Sequence, residues 1–101
     1  MLIHAGPICL NKATLQATLD GSALELTTAE FKLMAYLMER PDKVQERYEL
    51  QHAVLGYADT TQTRALDTHI KRLRQKLGAY ADYIVTERGV GYYFTTEPPA
   101  N

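Results

Sequence analysis

Hydrophobic and polar residues alternate along the first quarter of the chain, which is the pattern of short strands with one buried face. After "ICL", the segment "TLQATLD" places Leu15, Ala17 and Leu19 between polar neighbours. Asp20–Gly21 is a strong signal for a tight turn, and "ALELT" resumes the alternation after it. The pattern predicts a small antiparallel sheet over about residues 7–27.

The spacing then becomes helical. "TTAE" at Thr27–Glu30 fits a capping box, in which the Thr27 hydroxyl accepts from a backbone amide and Glu30 reaches back. "RPD" at positions 40–42 predicts the end of this helix. The apolar residues at helical spacing between these signals are Phe31, Met34, Leu37 and Met38.

Two further helices and a hairpin follow. The second helix is predicted over Arg47–Leu55 with Gly56 as its stop, and the third over about Thr63–Leu77, with Gly78 as an αL cap. "YIVTERGVGYYFTT" predicts two strands around a tight turn, because it is rich in β-branched and aromatic residues. Four residues of the second helix are available to the core: Tyr48, Leu50, Ala53 and Val54.

Together these elements predict one α+β domain over residues 1–101, a length that allows a single modest core. The N-terminal sheet would cover about 7–27, a three-helix core about 28–78, and a C-terminal hairpin about 83–96.

Positive charge is concentrated in one segment. Residues 60–78 carry five Lys/Arg and one Asp, although the chain as a whole has a formal net charge of −1. A charge run of this kind is often only a solvated helix face, so the geometry of the third helix decides what it indicates.

On a helical wheel, the apolar residues of the third helix form a narrow stripe centred about 210° from Arg64. Asp67 and Arg74 flank one side of this stripe, and His69 and Lys76 flank the other. The stripe consists of Leu66, Ile70, Leu73 and Leu77, and the opposite side presents Arg64, Thr68, Lys71, Arg72 and Gln75.

Such a face matches what a helix needs to enter the major groove of double-stranded DNA. Lys and Arg neutralise phosphates, and Arg, Thr and Asp can contact base edges. Asp67 could accept from a cytosine amino group or form an intrahelical ion pair with Lys71. His69 could be a partly buried packing residue or a phosphate contact. In the hairpin, Arg88 lies at a tight turn, where one cation can enter a narrow minor groove.

Other classes of function have less support. The three histidines (His4, His52 and His69) show no metal-ligand spacing, and no catalytic constellation is found, so neither an enzyme nor a metal or cofactor site is expected. The chain has one cysteine, Cys9, and no apolar run near the roughly 20 residues of a membrane span. A reduced, cytoplasmic setting is the simplest interpretation.

The order of elements and the motifs resemble the winged-helix DNA-binding domain of OmpR/PhoB-type bacterial response regulators. The resemblance covers nearly the whole chain up to Phe94. It is carried by "LTTAEFKLMAYLM", "TRALDTHIKRLRQKL" and "IVTERGVGYYF". It implies a winged helix-turn-helix that binds specific DNA sequences as the effector domain of a two-component regulator.

The resemblance also implies residue roles. The third helix, about residues 63–77, would be the recognition helix, with His69 and Arg74 contacting the DNA backbone from its flanks. In the hairpin, or wing, Thr86 would bind phosphate and Arg88 would enter the minor groove. The residues near bases or adjacent phosphates would be Arg64, Ala65, Asp67, Thr68, Lys71 and Arg72.

Partners follow from the same resemblance. In the family, the domain follows a phosphoaccepting receiver domain, two copies bind head-to-tail on tandem half-sites, and the loop here at Gly56–Gln62 contacts RNA polymerase. The chain departs from the family in three places. The second helix ends in "VLGY", where the family often has an aromatic residue before the Gly, and the loop that follows is about one residue short. Glu46 occupies a position that is commonly Ser in the family. The first two departures weaken the expectation of a polymerase contact.

A receiver domain does not fit in 101 residues, so the chain is either an effector domain cut from a longer protein or a free-standing one, and the Met directly before the first strand favours the former. The rival class is a winged helix that docks an acidic protein partner, which would need exposed apolar anchors among the charges. The polar face of the third helix favours nucleic acid, and duplex DNA over RNA, whose deep major groove excludes a helix.

Overall fold

Four short strands in the first quarter of the chain form an antiparallel sheet, in which each strand pairs with the next one along the chain. The structure is a computed structural model that describes residues 1–56 and 64–98. Asp20 and Gly21 have φ values of 52° and 80°, the geometry of a type I′ hairpin turn, so the predicted turn is confirmed. The strands are Leu2–Ala5 (β1), Ile8–Asn11 (β2), Gln16–Leu19 (β3) and Ser22–Leu24 (β4).

This sheet differs from the sequence prediction in two places. It starts before residue 7, because Leu2–Ala5 pairs with Ile8–Asn11 as an edge strand. Leu15 does not continue the alternation of Ala17 and Leu19. It lies in the turn before β3 with a φ of 57° and is 52% exposed, because a left-handed residue cannot extend the strand.

The first helix, α1 (Thr28–Met38), begins with the predicted capping box. The Glu30 amide donates to the Thr27 hydroxyl at 3.2 Å, and the Thr27 amide donates to the Glu30 carboxylate at 2.9 Å. The apolar residues predicted for the core are buried as expected, namely Phe31, Met34, Leu37 and Met38.

The second helix, α2 (Arg47–Leu55), has the predicted bounds and ends at Gly56, whose φ of 71° is left-handed. Its core face differs from the prediction, because Tyr48 and Ala53 are exposed while Gln51 is buried beside Leu50 and Val54. Two of the four predicted core residues of α2, Leu50 and Val54, are therefore confirmed.

The third helix and the wing complete the fold. A 3-10 segment at Gly78–Tyr83 joins them and has no counterpart in the prediction. A two-residue strand immediately before α2 was also not predicted, and it pairs with the second strand of the wing to give a three-stranded second sheet. The elements are Gln45–Glu46 (β5), Arg64–Leu77 (α3), Ile84–Glu87 (β6) and Gly91–Phe94 (β7).

One core joins both sheets and all three helices. Phe94 and Ile84 bring the wing into it, and Ile8, Leu10 and Ala17 bring in the N-terminal sheet. None of the described helices combines the length and the apolar character of a membrane span. The core therefore fixes α3 between α1, α2 and the wing, with one face left outside.

Candidate nucleic-acid interface

The two faces of α3 differ sharply in chemistry. Leu66, Ile70, Leu73 and Leu77 are at most 1% exposed, so the predicted apolar stripe is confirmed as the buried face. The opposite face is polar and cationic. Its exposed members are Arg64, Thr68, Lys71, Arg72 and Gln75.

Ala65 and His69 lie at the borders of this exposed face and are partly buried. The Nδ1 atom of His69 is enclosed and has no hydrogen-bond partner within residues 1–56 and 64–98. His69 is therefore partly buried, in agreement with the packing alternative, whereas its contact with a phosphate stays a prediction.

A cavity of about 370 Å³ lies between the start of α1 and the side of α3. It adjoins the exposed cationic face through Arg72. Its other lining residues are Thr27, Glu30, His69, Gln75 and Lys76.

Lys76 has an exposed side chain that forms an ion pair with a buried acid. Its ammonium lies 2.5 Å from the carboxylate of Glu30, which is only 1% exposed. Burial opposes ionisation of this carboxylate, but hydrogen bonds from Lys76 and Thr27 outweigh it and hold the pKa of Glu30 below its ordinary value. The capping residue of α1 is thereby tied to α3.

Asp67 is the residue that the structure places most differently from the sequence hypotheses. Its ion pair is with Arg47 at the start of α2 and not with Lys71. Its other carboxylate oxygen accepts from the Tyr92 hydroxyl of β7 at 2.5 Å. The predicted intrahelical pair with Lys71 was wrong, because residue spacing along one helix gives no information on side chains from α2 and the wing.

Arg74 and Thr86 were both expected to meet the DNA backbone, and the structure brings them together. The Arg74 guanidinium donates to the Thr86 hydroxyl at 2.6 Å and to the Ile84 carbonyl at 2.9 Å. It also lies 5.7 Å from the centre of the Tyr92 ring. Burial lowers the pKa of Arg74, with partial compensation from Tyr92 and Asp82, and the residue remains a cation.

The turn of the wing presents an exposed cation. Arg88 is exposed in the turn between β6 and β7, followed by Gly89 in a left-handed conformation. Val90 beside it is 46% exposed. The loop expected to contact RNA polymerase, Gly56–Gln62, lies outside the described residues except for Gly56, and so does Thr63, the predicted start of α3.

Similarity to known proteins agrees with this arrangement. Residues 21–94 match the family model described as "Transcriptional regulatory protein, C terminal". The chain belongs to this family. It is a transcriptional regulatory domain of the OmpR/PhoB type, a class of transcription regulators and not of enzymes, and its fold is the winged helix-turn-helix of that class.

Individual relatives of this transcriptional regulatory domain are similar over most of its length. The response regulator protein PmrA of Pseudomonas aeruginosa is 38% identical over 91 residues, which are 90% of this chain and 40% of that protein. The chain thus spans about two fifths of the length of this curated relative.

Two solved structures have closely similar folds. The RstA DNA-binding domain of Klebsiella pneumoniae, solved in complex with the RstA box, has a TM-score of 0.85 at 27% identity and covers 95% of this chain and 98% of its own. DrrB, a Thermotoga maritima OmpR/PhoB homologue, has a TM-score of 0.81 at 31% identity and covers 93% of this chain and 44% of its own.

Proposed function

We propose that this transcriptional regulatory domain binds double-stranded DNA at specific sequences, as the effector domain of a two-component response regulator. In this proposal α3 lies in the major groove and Arg88 enters the adjacent minor groove. The observation that carries the proposal is the division of α3 into a buried apolar face and an exposed face of cations and hydroxyls. The RstA domain, solved with its DNA box, supports the same use of the fold.

Residue roles follow from exposure. Lys71, Arg72 and Thr68 are exposed and would meet bases or adjacent phosphates, together with Arg64 and the partly buried Ala65. His69 would meet the DNA backbone from the border of the face. Arg74 and Thr86 would act chiefly by holding the wing in place, because each already has a protein partner.

The remaining partners belong to the whole regulator. We infer that a phosphoaccepting receiver domain controls this effector domain, and that two copies bind tandem half-sites head-to-tail while the isolated domain is monomeric. The loop Gly56–Gln62 is the proposed contact with RNA polymerase, and the bacterial cytoplasm the proposed location. No catalytic activity, cofactor or membrane contact is part of this function.

The experiment that tests the proposal is enrichment of bound duplexes from a random DNA library at physiological salt. We expect a repeated motif with half-sites about one helical turn apart. Lys71→Ala should weaken binding to this motif, whereas Lys32→Ala, the same change at an exposed position of α1, should not. Absence of any enriched motif, with binding that disappears as salt rises, would instead favour a protein partner for α3.

A further inference from the structure

Asp67 is an acidic residue in the most cationic segment of the chain, at a place where its charge opposes phosphate. It lies in the first turn of α3, yet its carboxylate is turned towards the rest of the protein. One oxygen meets the guanidinium of Arg47 and the other the hydroxyl of Tyr92. A single carboxylate thus joins α2, α3 and the wing.

Tyr92, one of the two partners of Asp67, lies in the wing itself. Tyr92 pairs with Thr86 of β6 on one side and with Gln45 of β5 on the other. Its side chain is buried, and burial together with the hydrogen bond to Asp67 raises its pKa to about 12, so the phenol stays a neutral donor at physiological pH.

Arg47, the other partner of Asp67, connects it to α2 and, through a backbone hydrogen bond, to the wing. Arg47 is the first residue of α2, and its amide donates to the carbonyl of Val90 in the wing turn at 3.3 Å. Val90 is two residues from Arg88, so the backbone that carries the proposed minor-groove cation is connected to Asp67 through both of its partners.

We propose that Asp67 is a positioning residue for DNA reading, which contacts no base and instead fixes the wing against the recognition helix so that Arg88 reaches the minor groove. This inference rests on the proposed function. It replaces the hypothesis of direct base contact, because a carboxylate that turned to a cytosine would lose the hydrogen bonds that it accepts from Arg47 and Tyr92.

Three roles for Asp67 predict different results for Asp67→Asn. An acid that merely repels phosphate predicts tighter binding of the variant. A base-reading acid predicts a loss confined to one base pair of the site. A positioning acid predicts a loss that depends on Arg88, because the wing then no longer delivers that cation.

The test is a double-mutant cycle of Asp67→Asn and Arg88→Ala, measured as DNA affinity on the enriched site with A-tract flanks. We expect Asp67→Asn to weaken binding roughly tenfold when Arg88 is present and less than about twofold in the Arg88→Ala background. Tyr92→Phe, which removes only one hydroxyl, should show the same dependence with a loss of about threefold. Glu49→Gln is the matched control, because it removes an exposed acid of α2 and should not weaken binding.

The possible outcomes distinguish a failure of the positioning role of Asp67 from a failure of the proposed DNA-binding function. Equal losses from Asp67→Asn in both backgrounds, with Tyr92→Phe also additive, would overturn the positioning role while leaving sequence-specific binding in place. A loss restricted to one base pair, or tighter binding, would overturn it equally. A wild-type chain without sequence preference would overturn the proposed function itself and the positioning role with it. Thermal unfolding of each variant confirms that affinities are compared between folded proteins.

Discussion

Glu30 is a buried carboxylate with two separate tasks in this domain. It completes the capping box of α1 with Thr27, and it accepts from Lys76 of α3. Both partners favour its ionised form, so the cost of burial is offset within the folded state. Glu30 therefore both caps α1 and holds α3, the helix that is proposed to bind DNA.

The pH dependence of folding follows from this pairing. Because the pKa of Glu30 in the fold lies below its ordinary value of 4.5, its stabilising contribution is present above that pH and declines as the pH falls through the lower folded value. We expect Glu30→Gln to reduce the free energy of unfolding by about 1–3 kcal/mol at pH 7, and by less at pH 3. Urea unfolding at the two pH values measures this.

The control is Glu39→Gln, which breaks the exposed ion pair with Lys12. Its effect should stay below about 1 kcal/mol, because exposed pairs contribute little. Equal effects of the two substitutions at pH 7 would show that burial of Glu30 does not matter.

Arg72 is the residue on which sequence preference should depend most directly. It is exposed on the polar face of α3 and lines the cavity that His69 and Lys76 also line. Arg72→Ala should cost about 1–3 kcal/mol of binding at the enriched site and broaden its preferred sequence. Affinities for the enriched site and for a scrambled duplex provide the measurement. Losses of the same size on both duplexes would mean that Arg72 contacts only phosphate.

At the scale of elements, the wing is attached by a very short strand. β5 contains only Gln45 and Glu46, and it pairs with β7 directly before α2 begins. The two backbones approach so closely at Gly91 that an added Cβ would lie 1.9 Å from the Gln45 carbonyl oxygen. The second sheet, and through it the position of the wing, therefore depends on the absence of a side chain at residue 91.

Gly91→Ala should consequently separate β5 from β7. We expect a loss of about 1–3 kcal/mol in the free energy of unfolding, typical of forced overpacking, together with faster amide exchange at Gln45–Glu46. Gly89→Ala is the comparison, since its Cβ would meet no atom within 4 Å and the cost arises only from its φ of 79°. If β5 amides exchanged equally fast in both variants, the close approach at Gly91 would not be the cause.

At the scale of the whole molecule, positive charge is concentrated in one segment while the net charge stays close to zero. The net charge of −1 gives little general attraction to DNA, although residues 60–78 are strongly positive. A single copy should therefore bind weakly, and tight binding should need both half-sites.

The spacing between half-sites tests this. Inserting about five base pairs would rotate the second half-site by half a helical turn, onto the opposite face of the duplex. We expect this insertion to reduce the affinity of the two-copy complex to that of independent single sites, and an insertion of a full turn to restore part of it. Band-shift titration with the two duplexes measures the difference. Unchanged affinity would mean that the copies bind without contact.

Local sequence signals predicted the helices and turns well, for physical reasons that are themselves local. The Thr27–Glu30 capping box, the Asp20–Gly21 turn and the apolar stripe of α3 each depend on residues a few positions apart. The elements that were missed lack such signals. A two-residue strand such as Gln45–Glu46 has no measurable period, and the edge strand Leu2–Ala5 exists only through its pairing with β2.

The exposure of the α3 residues in the candidate interface was predicted correctly from the sequence, but the protein partners of Asp67 and Arg74 were not. The exposed positions of α3 follow from helical geometry, and the structure places Thr68, Lys71 and Arg72 accordingly. The contacts of Asp67 and Arg74 join residues distant in sequence, and a wheel drawn for one helix carries no information on them. A sequence motif by itself therefore does not separate a residue that contacts bases from one that holds the wing.

The protein partners of Arg74 and Lys76 have a consequence for the ions around the DNA. Each cation that binds a DNA phosphate releases a condensed counterion. The logarithm of the affinity therefore falls with the logarithm of the salt concentration, with a slope proportional to the number of counterions released. Five cations of the basic segment acting together would give a logarithmic salt slope of about −4.5 per copy, whereas three would give about −2.7. Because Arg74 and Lys76 already pair with the wing and with Glu30, the shallower slope is the one expected of α3. Binding by this helix should therefore persist at salt concentrations that remove proteins relying on charge alone.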